Sequence, residues 1–193
     1  MGTAGACIYA SLYYAWKEIH DILLKFQRQL YFHKRYFDDI FGIWIGNNND
    51  EWVDFKRELN NFKPGILEWE VSTLSTSVNF LDLNISIKHD GYITTKTFQK
   101  KYNLHLYVPA HSAHPPGSLK SLIYNTLATY WDQNTNPDDY QHFAGLLFNR
   151  LTVRGYNDEE LTGHFRSAPT HIDTLVSTNG QAVRNRDKEQ QRM

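Results

Sequence analysis

Two adjacent carboxylates, Asp38 and Asp39, lie inside RYFDDIFGIW (Arg35 to Trp44), with large apolar and aromatic residues on both sides. Two-residue hairpin turns favour Gly or Asn because their backbone needs positive φ. Neighbouring Asp residues lack that advantage and repel each other, by roughly 4 kcal/mol at about 4 Å with an effective dielectric near 20. A divalent cation would offset the repulsion. Hard oxygen ligands suit Mg²⁺, which takes one or two carboxylates and completes its shell with substrate phosphates and water. Taken as a dipeptide alone, the pair is better explained as a solvated acidic turn, since such residues are common in loops. The flanks change that balance, because a hydrophobic strand on each side would fix the carboxylates above a sheet.

Local charge offers a second kind of chemistry. Lys25, Arg28, Lys34 and Arg35 lie in residues 22–37 and Lys96, Lys100 and Lys101 in residues 91–107, and neither stretch contains an acid. In the second stretch Tyr92, Phe98, Tyr102 and Tyr107 interleave with the lysines, a mixture suited to phosphate contacts and base or sugar stacking. The competing explanation is a solvated hairpin whose aromatics are core. His105, His111 and His114 are spaced so that imidazoles could meet, but no cysteine or acid accompanies them, and a turn-stabilising or phosphate-contacting role is favoured over zinc.

These residues need elements to hold them. Ile8, Leu12, Ala15 or Trp16, Ile19, Ile22 or Leu23, Phe26 and Leu30 recur at steps of three or four, predicting one amphipathic helix over about 5–31. A strand, a tight turn on Asp38 and Asp39, and a second strand follow. Asn48 and Asn49 offer a cap for a helix through Trp52, Phe55, Leu59 and Phe62, ended by Pro64 and Gly65, with a strand from Ile66 to Val71 beyond it. Strict alternation predicts one strand from Phe80 to Lys88, and Asp90-Gly91 a two-residue turn into an antiparallel partner. SLKSLIYNTLATYW predicts a helix, Asn136 to Asp139 the capped start of a second, and Asn157 to Glu160 that of a third. The class is α+β with a helical C-terminal third.

Composition narrows the partners. The 193 residues suit one domain, or one with an appendage, and a net charge of -1 means that nucleic acid would be drawn by local patches, not by the overall field. Cys7 is the only cysteine, so an internal disulfide and a multi-cysteine zinc site are excluded; the composition suits a reducing, intracellular setting. No apolar run approaches the roughly 18 residues a membrane span needs. Every aromatic residue lies at or before Phe165, so residues 166–193 are expected to form a flexible tail, with a short helix around Ile172 to Val176.

RYFDDIFGIW resembles the aromatic-x-Asp-Asp hairpin of reverse transcriptases, with Tyr36, Phe37, Asp38 and Asp39 in the signature positions. Three further segments agree in order. MGTAGACIYASLYYAWKE is similar to the later part of motif B, NNFKPGILEWEVS occupies the place of motif D, and NFLDLNISI resembles the motif E primer grip. The FLDL element, the stretch from His111 to Pro116 and the later Arg154 to Tyr156 are most similar to Penelope-like retroelement polymerases. The resemblance covers about residues 1–165. It implies a partial polymerase palm over 1–108, consisting of a long helix, the Asp-Asp β-hairpin, a helix and the primer-grip hairpin. A helical thumb-like or connection region over 109–165 would follow, with paired helices that also resemble a helix-turn-helix.

The resemblance also implies RNA-directed DNA polymerisation with two Mg²⁺ ions, on an RNA template and a DNA primer. On that mapping Asp38 is the main metal ligand and Asp39 its weaker companion, while Tyr36 and Phe37 set the hairpin against the primer end. Phe80 and Leu81 belong to the primer grip, Lys96, Lys100 and Lys101 face nucleic acid, and Gly2 and Thr3 lie near nucleotide and template. Lys63 is a weak match to a motif D proton donor, and a surface lysine describes it better. The sequence departs from the pattern in starting inside motif B, ahead of which the family carries its motif A aspartate and fingers. The expectation is a polymerase fragment that is inactive alone, and Asp82 is a poorly placed substitute for the third carboxylate. The alternative is a non-catalytic nucleic-acid-binding or interaction module.

Overall fold

The structure is a computed structural model that describes residues 5–61, 68–115 and 117–169. It is mixed α+β, with two small open antiparallel sheets and several helices, and it divides into two compact units, Met1–Thr76 and Ser77–Met193. No helix among the described residues is long and apolar enough to cross a membrane.

The first unit begins with α1 (Ala6–Lys17), which continues into a π-helical turn, Glu18–Leu23. Strands β1 (Leu30–Tyr36) and β2 (Asp39–Trp44) pair as a hairpin, and α2 (Asn49–Asn60) follows. The expected single helix over 5–31 is therefore too long, and its stripe is covered only at its C-terminal end. Ile22 and Phe26 are buried as expected, but Ile8, Leu12, Trp16 and Ile19 are exposed, and Tyr14, Lys17 and Glu18 are buried instead. A stripe of apolar residues marks a helix but not which side is covered; here Glu18 is drawn inward by partners on β1. Leu30 keeps one helical bond, its N–H to the Phe26 carbonyl at 2.9 Å, and at the same point enters the ladder opposite Trp44.

Helix α2 starts where the sequence places it. The Asn48 side chain accepts from the Asp50 N–H, and Asp50 and Glu51 favour the positive end of the helix dipole. Its inner face brings Phe55 and Leu59 against Ile22 and Phe26, with Leu30, Trp44, Trp52, Trp69 and Val71 around them. Ring contacts of 5.3 Å between Phe26 and Phe55 and 5.1 Å between Trp44 and Trp52 have the edge-on geometry that aromatic quadrupoles prefer. The strand expected at Ile66 to Val71 is not formed over 68–71, and residues 66 and 67 lie outside the described residues. Asn60 takes over the role of a ladder there. Its amide donates to the Trp69 carbonyl at 3.2 Å and accepts the Trp69 N–H at 2.6 Å.

The second unit carries β3 (Ser77–Phe80), β4 (Leu83–Ile87) and β5 (Ile93–Thr97) in that order, then α3 (Ser118–Gln133), α4 (Pro137–Val153) and a further helix, α5, over 158–169. The continuous strand expected from Phe80 to Lys88 is broken by a bend at Leu81-Asp82, since Phe80 pairs with Leu83. Phe80 and Leu83 are opposed across the bend and so share a face, which a spacing of three cannot give in one alternating strand; the regular alternation belongs to β4 alone. The Asp90-Gly91 turn is a three-residue loop, His89 to Gly91, closed by Lys88 N–H to the Tyr92 carbonyl at 2.9 Å. Gly91, with φ of +83°, supplies the left-handed position such a loop needs.

The starts of α4 and α5 agree with their caps: Asn136 accepts from Asp138 N–H, Pro137 opens α4, and Asn157 accepts from the Glu159 and Glu160 N–H groups. Leu119, Ile123 and Leu127 of α3 meet Phe143, Leu147 and Leu151 of α4, and Leu161 of α5 closes the core. Ala168 is fully buried, so order continues beyond Phe165, where the tail was expected to begin. Ala168 is small enough to complete a core without the bulky side chain that composition arguments look for. Residues 170–193, including the expected short helix, lie outside the described residues.

Candidate metal and nucleic-acid sites

The hairpin bend sits one residue earlier than the sequence placed it. Tyr36 pairs with Asp39, so the two central residues are Phe37 and Asp38, and Asp39 opens β2. Phe37 has φ of +54° and Asp38 does not share the positive region, the pattern of a type II′ turn, in which the first central residue is ordinarily Gly. A large L-residue in that conformation stores about 1–3 kcal/mol of strain. Phe37 is exposed and meets the ring of Tyr36 edge-on at 5.1 Å.

Asp38 and Asp39 are both exposed. Adjacent hard-oxygen donors open to solvent fit a Mg²⁺ ion that keeps water and phosphate ligands, and solvent also screens their mutual repulsion. Among the described residues no group of three His, Cys, Asp or Glu side chains converges, so these two carboxylates stand without a third.

The nearest cation in sequence, Arg35, is committed elsewhere. Its Nε donates to Glu18 Oε2 at 2.9 Å, one terminal nitrogen to the Phe37 carbonyl and the other to the Ser11 carbonyl, both at 3.0 Å. The guanidinium lies 5.0 Å from the centre of the Tyr14 ring. The second oxygen of Glu18 accepts from His33 Nε2 at 3.1 Å. The side chains of Glu18, His33 and Arg35 are only 8%, 7% and 13% exposed. Burial pushes the Glu18 carboxyl up, but the hydrogen bonds and charges of His33 and Arg35 outweigh it and hold the group below its usual range. Burial, then the charge of Glu18, pushes the Tyr14 phenol well above its usual range.

Sequence reasoning missed Glu18 and His33. The available signal was an acid and a lysine, Lys17-Glu18, at the end of an otherwise apolar helix.

The remaining candidates are distributed as follows. Leu81 repeats the geometry of Phe37, with φ of +54°, and is 37% exposed; Phe80 is half-buried. Lys96 is paired with Asp139 at 2.6 Å, whereas Lys100 and Lys101 are exposed beside the exposed Tyr102. Lys25 is paired with Glu58 at 2.8 Å. Tyr107 packs on the helical core instead of facing solvent. Gly2, Thr3 and Lys63 lie outside the described residues.

His114 and the Arg154 to Tyr156 stretch are brought together, while Pro116 lies outside the described residues. Arg154 Nε donates to the Tyr107 carbonyl at 2.6 Å, Tyr156 donates to the Val108 carbonyl at 3.0 Å, and the ring of Tyr156 lies 6.3 Å from that of His114. A cavity of about 400 Å³ opens between them, lined by His114, Gly117, Tyr156 and Glu160 among others. His105, at φ of +45°, has its basicity lowered by burial and by the charge of Arg150.

No family model, curated protein or solved structure matches this chain.

Proposed function

We propose that this chain provides the Asp-Asp hairpin and primer-grip portion of an RNA-directed DNA polymerase of the reverse-transcriptase type, working on an RNA template and a DNA primer. The observation that carries the reading is the bend at Tyr36-Phe37-Asp38-Asp39, a strained turn held by buried charges that leaves two neighbouring carboxylates open to solvent. Asp38 and Asp39 would hold Mg²⁺. When bound, the metal would supply Lewis-acid activation of a primer 3′-hydroxyl and charge neutralisation at a pyrophosphate leaving group. The residues of this chain would orient the two carboxylates and set Tyr36 and Phe37 against the primer end. Phe80, Leu81, Lys100 and Lys101 would contact the nucleic-acid backbone, with Lys96 a weaker candidate because Asp139 already satisfies it.

Mn²⁺ titration by electron paramagnetic resonance, followed by primer extension on an RNA template with a segment carrying a motif A aspartate and fingers supplied, tests the reading. The expected result is Mn²⁺ binding by the wild-type chain that Asp38→Asn with Asp39→Asn abolishes, and template-dependent extension lost in the same variant. No incorporation with the supplied segment present would defeat the polymerase reading.

Exposed Lys100, Lys101 and Tyr102, which owe nothing to the carboxylates, favour a second reading: a nucleic-acid-binding module without turnover. That reading is distinguished by salt-sensitive RNA binding that survives Asp38→Asn with Asp39→Asn and needs no Mg²⁺.

A further inference from the structure

We infer that Arg35 is a positioning residue: its guanidinium holds the Phe37–Asp38 peptide in one orientation and thereby sets how the Asp38 carboxylate is presented. The inference deepens the proposed metal role of Asp38 and Asp39 and rests on it for its consequence, but not for its geometry.

Type I′ and type II′ turns share positive φ at the first central residue and differ at the second, so they interconvert by rotating the peptide plane between the two. In this bend that plane carries the Phe37 carbonyl. Without glycine at Phe37, nothing in the local backbone makes the type II′ arrangement comfortable. The bond from Arg35 to that carbonyl, at 3.0 Å, supplies an external hold, and charged donors make the stronger hydrogen bonds.

The hold works only because Arg35 is itself immobile. Its other two bonds go to the Ser11 carbonyl of α1 and to Glu18, the first residue of the π-helical turn, and the Tyr14 ring lies against its face. Glu18 is fixed in turn by His33 from the same strand as Arg35. A carboxylate only accepts, so His33 carries its proton on Nε2, and its buried Nδ1 has no partner among the described residues. The groups facing Glu18 are therefore Arg35 and His33 from β1 and Tyr14 from α1, with the Lys17–Asp21 pair beside it in sequence. A planar fork is required. Lysine has one ammonium and cannot reach three acceptors in fixed directions.

The test places 4-fluorophenylalanine at Phe37, with a second labelled protein carrying it at the buried Phe55, and records ¹⁹F spectra without metal. Wild type should give one resonance at each position. Arg35→Lys should shift or split the Phe37 resonance while that of Phe55 stays put; an unchanged Phe37 resonance in the folded variant overturns the inference, as does an equal change at both positions. Should circular dichroism show that Arg35→Lys does not fold, Arg35→Gln combined with Glu18→Gln removes the fork without leaving a buried carboxylate unpaired, and the same two spectra decide. Where wild type binds Mn²⁺, Arg35→Lys should weaken it about tenfold, the scale of one charged hydrogen bond. Wild type that binds no Mn²⁺ defeats the metal proposal alone, because the metal-free spectra still decide the role of Arg35.

Discussion

The two hairpins, one in each unit, solve the same local problem with different means. Each places a large apolar residue, Phe37 or Leu81, at φ of +54° and follows it with an aspartate. Around Leu81 the backbone does the bracing. Strand β5 lies beside β4, and the Phe98 N–H reaches the Asp82 carbonyl at 2.7 Å. The outer edge of β5 is closed by the end of α3, where Asn134 accepts from the Thr97 N–H at 3.0 Å and donates to the Thr97 hydroxyl at 2.7 Å. Around Phe37 the sheet has, among the described residues, two strands, and a two-stranded hairpin has little stability of its own. Side chains brace it instead, through Arg35, Glu18 and His33. A bend held by a ladder is fixed by many weak bonds, whereas one held by a charge cluster depends on a few residues and leaves its tip open.

The contrast is broken most severely by Arg35→Leu. Glu18 would keep a buried charge with one cation removed, and unfolding in urea should show a loss of about 3–5 kcal/mol. The counterpart in the other hairpin, Asn134→Ala, leaves the Thr97 N–H unpaired and should remove about 2 kcal/mol in the same assay.

Acid separates the two as well. The folded-state pKa of Glu18 lies below its unfolded value near 4.3, so its contribution is fully present above that value and is lost as the pH falls through the folded pKa. Glu18→Gln should flatten that part of the stability profile measured by denaturant melts at successive pH values; an unaltered acid limb would show that Glu18 is not the group responsible. The smallest effects sharpen the likeness. Phe37→Gly and Leu81→Gly should each raise stability by about 0.5–1 kcal/mol, as relief of strain exceeds the added entropy of the unfolded chain. A loss at Phe37 alone would mean that its contact with Tyr36 outweighs the strain.

Much of the fold could be read from the chain because the signals are local. Asn48, Asn136 and Asn157 cap the helices they precede, and Leu119, Ile123 and Leu127 recur at the spacing that their packing requires. The candidate site was legible in part. The Asp-Asp pair and its flanking strands stood out, but the bend was placed one residue late because propensity rules discount a phenylalanine at positive φ. Lys96 looked free to meet phosphate because Asp139 is distant in sequence, and only folding brings the two within 2.6 Å.

Residue types and short spacings were thus enough to mark the α+β class, the caps, the three-helix core of the second unit and the hairpin that offers two carboxylates. The face of α1 that is covered, the π-helical turn at Glu18 and the bracing of the bend depended on partners fifteen or more positions apart. Periodicity cannot reveal such choices. Burying Glu18 is favourable only when His33 and Arg35 are already held in place to receive it, and that condition belongs to the packed chain as a whole.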